Sequence, residues 1–242
     1  MVKLTLIQGD ALKVLPTMPS NSVDLVILDP PYLAPEQKPN LREEVVSALI
    51  EEKSYVSIFP ELYRIMKENS DLLMFGHLST FMRLGQRILD SGFRYCTDIV
   101  WVKPGPVNFL QAGRKPLTQH ETIAVFYKGK LKFNEEGSKT NGMPYVTKGG
   151  LYQSFYNVVR HTTVNEGFRY MTDVLFASHK PTMKHEERTD HPTQKPLELI
   201  KRLISAFSFE GETVLDPFLG SGTTMVAAKE KLYWNRDRTK IH

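Results

Sequence analysis

Asp29, Pro30, Pro31 and Tyr32 close an apolar run, Val23-Asp24-Leu25-Val26-Ile27-Leu28. They place a carboxylate, two residues without an N–H and an aromatic ring at one strand end. Those types suit one kind of chemistry. An exocyclic amino nitrogen on adenine or cytosine is a poor nucleophile, because its lone pair is delocalised into the ring. A carboxylate accepting one N–H and a backbone carbonyl accepting the other favour a tetrahedral nitrogen with a localised pair. Proline fixes the loop and has no N–H to compete. A preset geometry needs little reorganisation as charge develops. Tyr32 could stack on a base flipped from a duplex. A Pro-Pro turn led by aspartate would be spelled the same way, so this loop alone leaves both readings open.

A second loop, Asp216-Pro217-Phe218-Leu219-Gly220-Ser221-Gly222-Thr223-Thr224, follows the short run Thr213-Val214-Leu215. Its two glycines permit tight turns and close approach of a ligand. A phosphate-cradling loop needs Lys-Ser/Thr after its last glycine, and Thr223-Thr224 stands there instead. A dinucleotide fingerprint wants a third glycine, and Met225 occupies that place. A pocket for S-adenosylmethionine, which has no phosphates, needs backbone room and a nearby carboxylate. A plain glycine turn stays open beside it.

The surrounding pattern says what must position these loops. Residues 3–10 read as a short strand ending in a Gly-Asp turn, and 23–28 as a strand buried on both faces. A helix is expected within 56–68 from Pro60 onward, then a strand over 71–76. In the helix expected over 79–93, Phe81, Leu84, Ile88 and Leu89 share a face and Gly92 suits the stop. Strands follow at 97–103 and 121–128. Residues 129–190 show no sustained period. A helix over 196–207, a strand at 213–216 and a helix near 223–231 complete the reading. Alternating strands and helices argue an α/β fold with a doubly wound, mostly parallel sheet. Ligands of such sheets sit beyond the carboxyl ends of the strands.

Composition narrows the class. With 41% hydrophobic residues the chain can bury a substantial core, and its one cysteine, Cys96, cannot close an internal disulfide. The first ten residues do not read as a signal peptide, and no apolar run approaches the roughly 20 residues of a membrane span. A cytoplasmic setting is therefore expected. The lone cysteine and scattered histidines show no ligand spacing, so no metal is expected. Residues 101–195 carry 14 basic and 8 acidic side chains, while the flanks together are slightly acidic. A basic middle in a near-neutral frame fits either a polyanion-facing lobe or a solvated surface.

Taken together, the two loops resemble the permuted β group of amino DNA methyltransferases. There a DPPY motif precedes the cofactor loop and the target-recognition region lies between. Gln8-Gly9-Asp10 and His191-Pro192-Thr193-Gln194-Lys195-Pro196 resemble two further motifs of that family, and the similarity runs from about residue 4 to 231. The resemblance implies a Rossmann-like core made of residues 1–103 and 191–242, with a recognition insertion at 104–190. It implies that Asp29 and the Pro30 carbonyl hold the target amino group, that Pro31 shapes the loop and that Tyr32 stacks. Asp29, Asp216, Phe218, Gly220, Ser221, Gly222 and Thr223 would line the S-adenosylmethionine pocket, and Thr193, Gln194 and Lys195 would close it. Asp10 would lie near the cofactor's adenine or ribose, or else cap a helix starting at Ala11. Within the family, a leading Asp goes mostly with adenine N6 and Ser with cytosine N4. Double-stranded DNA is the implied partner, and a homodimer stays open. Lys128, Lys130, Lys132, Lys139 and Lys148, with Arg114 and Lys115, become candidates for phosphate contact, and Arg160, Arg169 and Arg188 for base edges.

One departure stands out. The family usually continues from the cofactor-loop helix into a strand ending in an acidic residue that grips the ribose. That strand lies between the cofactor-loop strand and the N-terminal one. Here Leu232-Tyr233-Trp234 would have to supply it, with Asp237 as the acid. Without it, a chain that binds DNA and methylates weakly is the competing expectation, and an RNA substrate is a third.

Overall fold

The computed structural model describes residues 3–30, 57–153 and 158–238. Pro31 and Tyr32 lie outside them. A short helix α1 (Ala11–Val14) leads to β1 (Val23–Leu28), α2 (Ile58–Ile65), β2 (Met66–Gly76), α3 (Leu78–Asp90), β3 (Arg94–Val107) and β4 (Thr118–Lys128). Then come α4 (Glu135–Ser138), β5 (Thr140–Asn141), β6 (Tyr145–Gln153), β7 (Val158–Asn165), β8 (Phe168–Arg169) and β9 (Val174–Phe176). The chain closes with α5 (Leu197–Phe207), β10 (Val214–Leu215) and α6 (Thr223–Arg238).

Six strands form one sheet in the order β10-β1-β2-β4-β3-β9. β10, β1 and β2 are parallel, β4 runs against β2 and β3, and β9 is parallel to β3. Five strands thus point one way and only β4 the other. Period-two alternation divides the core. Leu25, Ile27, Leu73, Phe75, Ile123 and Val125 pack on one face against Leu199, Ile200, Leu203, Ile204 and Phe207 of α5. Val26, Leu28, Leu72, Met74, Ala124 and Phe126 pack on the other against Ile58, Phe59, Leu62 and Ile65 of α2. Each large side chain moved fully out of water contributes about 1.5–3 kcal/mol, so both helical layers are held by the same alternation that makes the strands. Among the described residues, no helix is long and apolar enough to cross a membrane.

Several elements depart from the sequence reading, and the open question about residues 232–234 is answered. Residues 3–8 form no strand, and Leu6 and Ile7 are exposed. Among the described residues β10 pairs with β1 alone, so nothing bridges the sheet to that segment. Residues 66–68 belong to β2, because Met66 pairs with Val23 of β1 and the helix ends at Ile65. On α3, Ile88 is buried and Phe81 and Leu84 pack beneath, but Leu89 is 41% exposed at the end of the face. Residues 232–234 continue α6, and among the described residues no strand follows it. Residues 129–190 hold more order than their pattern suggests. They carry the two-stranded pairs β5·β8 and β6·β7, and β9 joins the main sheet.

Candidate active site

β1 and β10 are neighbours, with Leu25 opposite Val214 and Val26 opposite Leu215. Two loops almost two hundred positions apart therefore leave the same rim side by side. Pro30 lacks the N–H that would extend the ladder, and β1 ends at Leu28. The Asp29 Oδ2 oxygen accepts an ion pair from Lys195 Nζ at 2.8 Å. Its Oδ1 oxygen is buried and, among the described residues, has no hydrogen-bond partner. A buried acceptor without a donor is uncommon and costly in a folded protein. Here it is an oxygen of fixed orientation, ready to receive an N–H.

The glycine loop is built from its own side chains. Asp216 Oδ1 accepts the Phe218 N–H at 3.0 Å, and Oδ2 accepts the Thr224 hydroxyl at 2.6 Å. Both oxygens are thus used in shaping the turn. Burial, with Asp29 nearby, pushes the Asp216 carboxyl up to about 6. Gly220 and Gly222 sit at φ +51° and +78°, a region that other L-residues enter only with strain. A Cβ on Gly220 would also lie 3.1 Å from the His191 ring. Phe218 packs into the core beneath the loop. Ser221 and Thr223 share a hydroxyl contact of 2.8 Å, and the Thr223 hydroxyl donates to the Lys195 carbonyl at 3.2 Å.

The segment before α5 is braced in turn. Gln194 Oε1 accepts the Thr189 N–H at 2.8 Å, and its Nε2 donates to the Glu187 carbonyl at 2.7 Å. Glu187 Oε1 accepts the Leu197 N–H at the start of α5, also at 2.7 Å. Gln194 therefore shapes this loop, Thr193 is exposed, and Lys195 is the member that reaches the rim. His191 keeps a buried Nδ1 without a partner beside Gly220. Asp10 caps α1 by accepting the Leu12 N–H at 3.0 Å, which is the local alternative raised by its position.

Two buried residues escaped the sequence reading. Lys103 and Glu121 pair at 2.6 Å, and Glu121 lies 3.5 Å from Lys195. Each ends an apolar strand run on the site rim, and only the antiparallel register of β3 and β4 puts them together. Strand-end charges gave a hint, but the pairing gave the contact. The basic candidates divide by position. Arg114 and Lys115 are exposed in the link between β3 and β4, on the site side. Lys128 is buried at the opposite rim, where its ammonium donates to the Tyr63 and Met66 carbonyls at 2.9 and 2.8 Å. Six residues of β4 separate it from the site rim, about 20 Å. Lys132, which pairs with Glu212 at 2.8 Å, and Lys130 follow it there, so none of these three faces the site. Lys139 is paired with Glu135 and Glu136. The Arg169 guanidinium lies 4.8 Å from the Tyr145 ring, and Arg188 donates to the Met183 and Pro181 carbonyls. Lys148 and Arg160 belong to the hairpin strands β6 and β7.

The chain is similar to known proteins in sequence and in fold. The model of a family described as DNA methylase, covering N6 and N4 methyltransferases, matches residues 23–232. The chain is 30% identical to Type II methyltransferase M2.DpnII of Streptococcus pneumoniae, over 94% of this chain and 81% of that protein. It is 27% identical to Type II methyltransferase M.HinfI of Haemophilus influenzae, over 93% of this chain but only 61% of the relative's length. The fold recurs in solved structures. One is the M1.HpyAVI complex with S-adenosylmethionine (TM-score 0.59, 21% identity, 92% of this chain and 86% of that one). Another is the cytosine-N4-specific PvuII DNA methyltransferase (TM-score 0.61, 17% identity, 92% and 77%).

Proposed function

Since this chain belongs to the N6/N4 DNA methylase family, a class of S-adenosylmethionine-dependent DNA methyltransferases, we propose that it methylates N6 of adenine in double-stranded DNA. The observation that carries the reading is Asp29, with one oxygen clamped by Lys195 and the other buried without a donor, beside the Gly220–Gly222 loop. Asp29 Oδ1 accepts one N–H of the flipped base, and the Pro30 carbonyl accepts the other. Both localise the nitrogen lone pair. Tyr32 and Pro31 stack on and confine the base. S-adenosylmethionine, when bound, would supply an electrophilic methyl to the nitrogen that Asp29 and the Pro30 carbonyl hold, with S-adenosylhomocysteine as the leaving group and the N–H presented to Asp29 Oδ1 lost as a proton to solvent. Gly220, Ser221, Gly222, Thr223 and Phe218 give that donor its backbone room, with Thr193 and Lys195 beside it, Gln194 bracing their loop and Asp216 holding the turn. This chain's own contribution is placement and a fixed acceptor.

We assign target recognition to the parts of residues 104–190 that lie outside the main-sheet strands β4 and β9, with Arg114 and Lys115 as phosphate contacts and Arg160, on β7, as a candidate for base contact. The assay is incubation with unmethylated duplex DNA and labelled S-adenosylmethionine, followed by mass spectrometry of the nucleosides. N6-methyladenine is expected. N4-methylcytosine would overturn the choice of base. DNA binding without transfer would overturn the activity, and transfer to RNA alone the substrate.

A further inference from the structure

Lys195 begins the approach to α5, yet its ammonium ends beside Asp29 at the tip of β1 and 3.5 Å from Glu121 on β4. Between β1 and β4 lies β2. Two strand spacings, about 10 Å, therefore separate the backbones that carry the two carboxylates. The lysine bridges them across the end of β2, with its ammonium 5.2 Å from the Phe75 ring. Glu121 is itself held by Lys103 at 2.6 Å, and the Lys103 ammonium lies 5.1 Å from the Trp101 ring. The result is a line of alternating charge, Lys103–Glu121–Lys195–Asp29. Its first three members are 7–8% exposed.

We infer that Glu121 is a positioning residue: it draws the Lys195 ammonium onto Asp29 Oδ2, and so leaves Oδ1 as the acceptor presented to the target amino group. The inference rests on the amino-methylation reading. A neutral residue at 121 would leave two buried ammonium groups facing each other, with one carboxylate between them and the base. Repulsion between buried like charges is strong where water does not screen it. Lys195 would then leave its place, and Asp29 would lose the contact that fixes its rotamer. The other titratable groups around the line are His77, His120, His179 and Asp216. Burial lowers both His77 and His179, against the opposing field of Glu121. Burial raises Asp216, against the field of Lys195.

The test is steady-state methylation of duplex DNA by the full chain, with melting temperatures recorded. Wild-type transfer is measured first, because its absence overturns the amino-methylation reading and this inference with it. Given an active wild type, Glu121→Gln should lower kcat by about 10²-fold, the cost of displacing a catalytic contact by an ångström. The Kd for DNA should stay within about threefold, since duplex binding is not what Glu121 supports. Glu121→Gln combined with Lys103→Met removes the stranded charge and relieves the fold, and it should remain as slow as the single variant. In a Lys195→Met background, adding Glu121→Gln should cost less than about twofold, because both act through one contact. An active wild type whose Glu121→Gln variant keeps its kcat would overturn only this inference. So would recovery in the Lys103→Met combination, or a fully additive loss in the Lys195→Met background.

Discussion

Replacing Asp71 with asparagine should make the protein more stable at pH 8 and change its pH dependence. Asp71 lies in β2, wholly buried, opposite Leu25 of β1 and Tyr127 of β4. One oxygen accepts the Lys132 N–H at 3.4 Å, and the other is buried with no partner among the described residues. Burial, aided by the nearby Glu212 carboxylate and opposed by Lys132, pushes the Asp71 carboxyl from 3.8 up to about 7. The folded chain thus holds this proton more tightly than the unfolded chain. The resulting stabilisation is full below pH 3.8, declines as pH rises, and is gone above about 7. From pH 5.5 to 7 is one and a half units, each worth about 1.4 kcal/mol, so roughly 2 kcal/mol is lost in that window. Asparagine keeps the acceptor for Lys132 and carries no charge to bury. Urea unfolding of both proteins without cofactor, from pH 5.5 to 8, reads the difference directly. Asp216 is also raised, but it is common to both proteins and cancels. The gap should move by about 2 kcal/mol in favour of the variant. A constant gap, or one that shifts toward the wild type, would refute the reasoning.

Four further outcomes follow from the geometry. Gly220→Ala must hold a left-handed residue, at about 1–2 kcal/mol, and displace the His191 ring, so calorimetry should find S-adenosylmethionine bound about tenfold more weakly. Asp29→Asn should keep duplex affinity in a gel-shift assay and lose at least about 10²-fold in kcat, the usual scale for removing a preorganised polar contact. Lys128→Met should lower the melting temperature by removing a buried donor to two carbonyls, and leave the DNA affinity of the folded protein unchanged. Duplex binding should weaken linearly on a logarithmic salt scale, and a flat response would contradict phosphate contact by Arg114 and Lys115.

β1 was legible because six consecutive buried positions leave little choice but a central strand, and α5 because its apolar spacing follows a helical period. The neighbouring of the Asp29 and Asp216 loops followed from strand-end reasoning plus motif order. Other features depended on partners that no local pattern encodes. Residues 3–8 alternate like a strand, but a strand needs a neighbour, and β10 offers no bridge to them among the described residues. Lys128 reads as one more basic residue of a charged segment. It is buried because an antiparallel β4 carries it to the far rim, where two helix-end and strand carbonyls need a donor. Lys103 and Glu121 are eighteen positions apart, and their contact exists only through the β3–β4 register. Leu232-Tyr233-Trp234 has strand-like residues, yet helix propagation from Thr223 carries through them.

The ladder that sets Val26 opposite Leu215 also acts as a ruler. Its graduation is one residue, about 3.3 Å, and a slip of one mark would turn every side chain of the strand to the other face. In-line transfer tolerates far less than one such mark. A single residue gained or lost within either of these two short strands would end it.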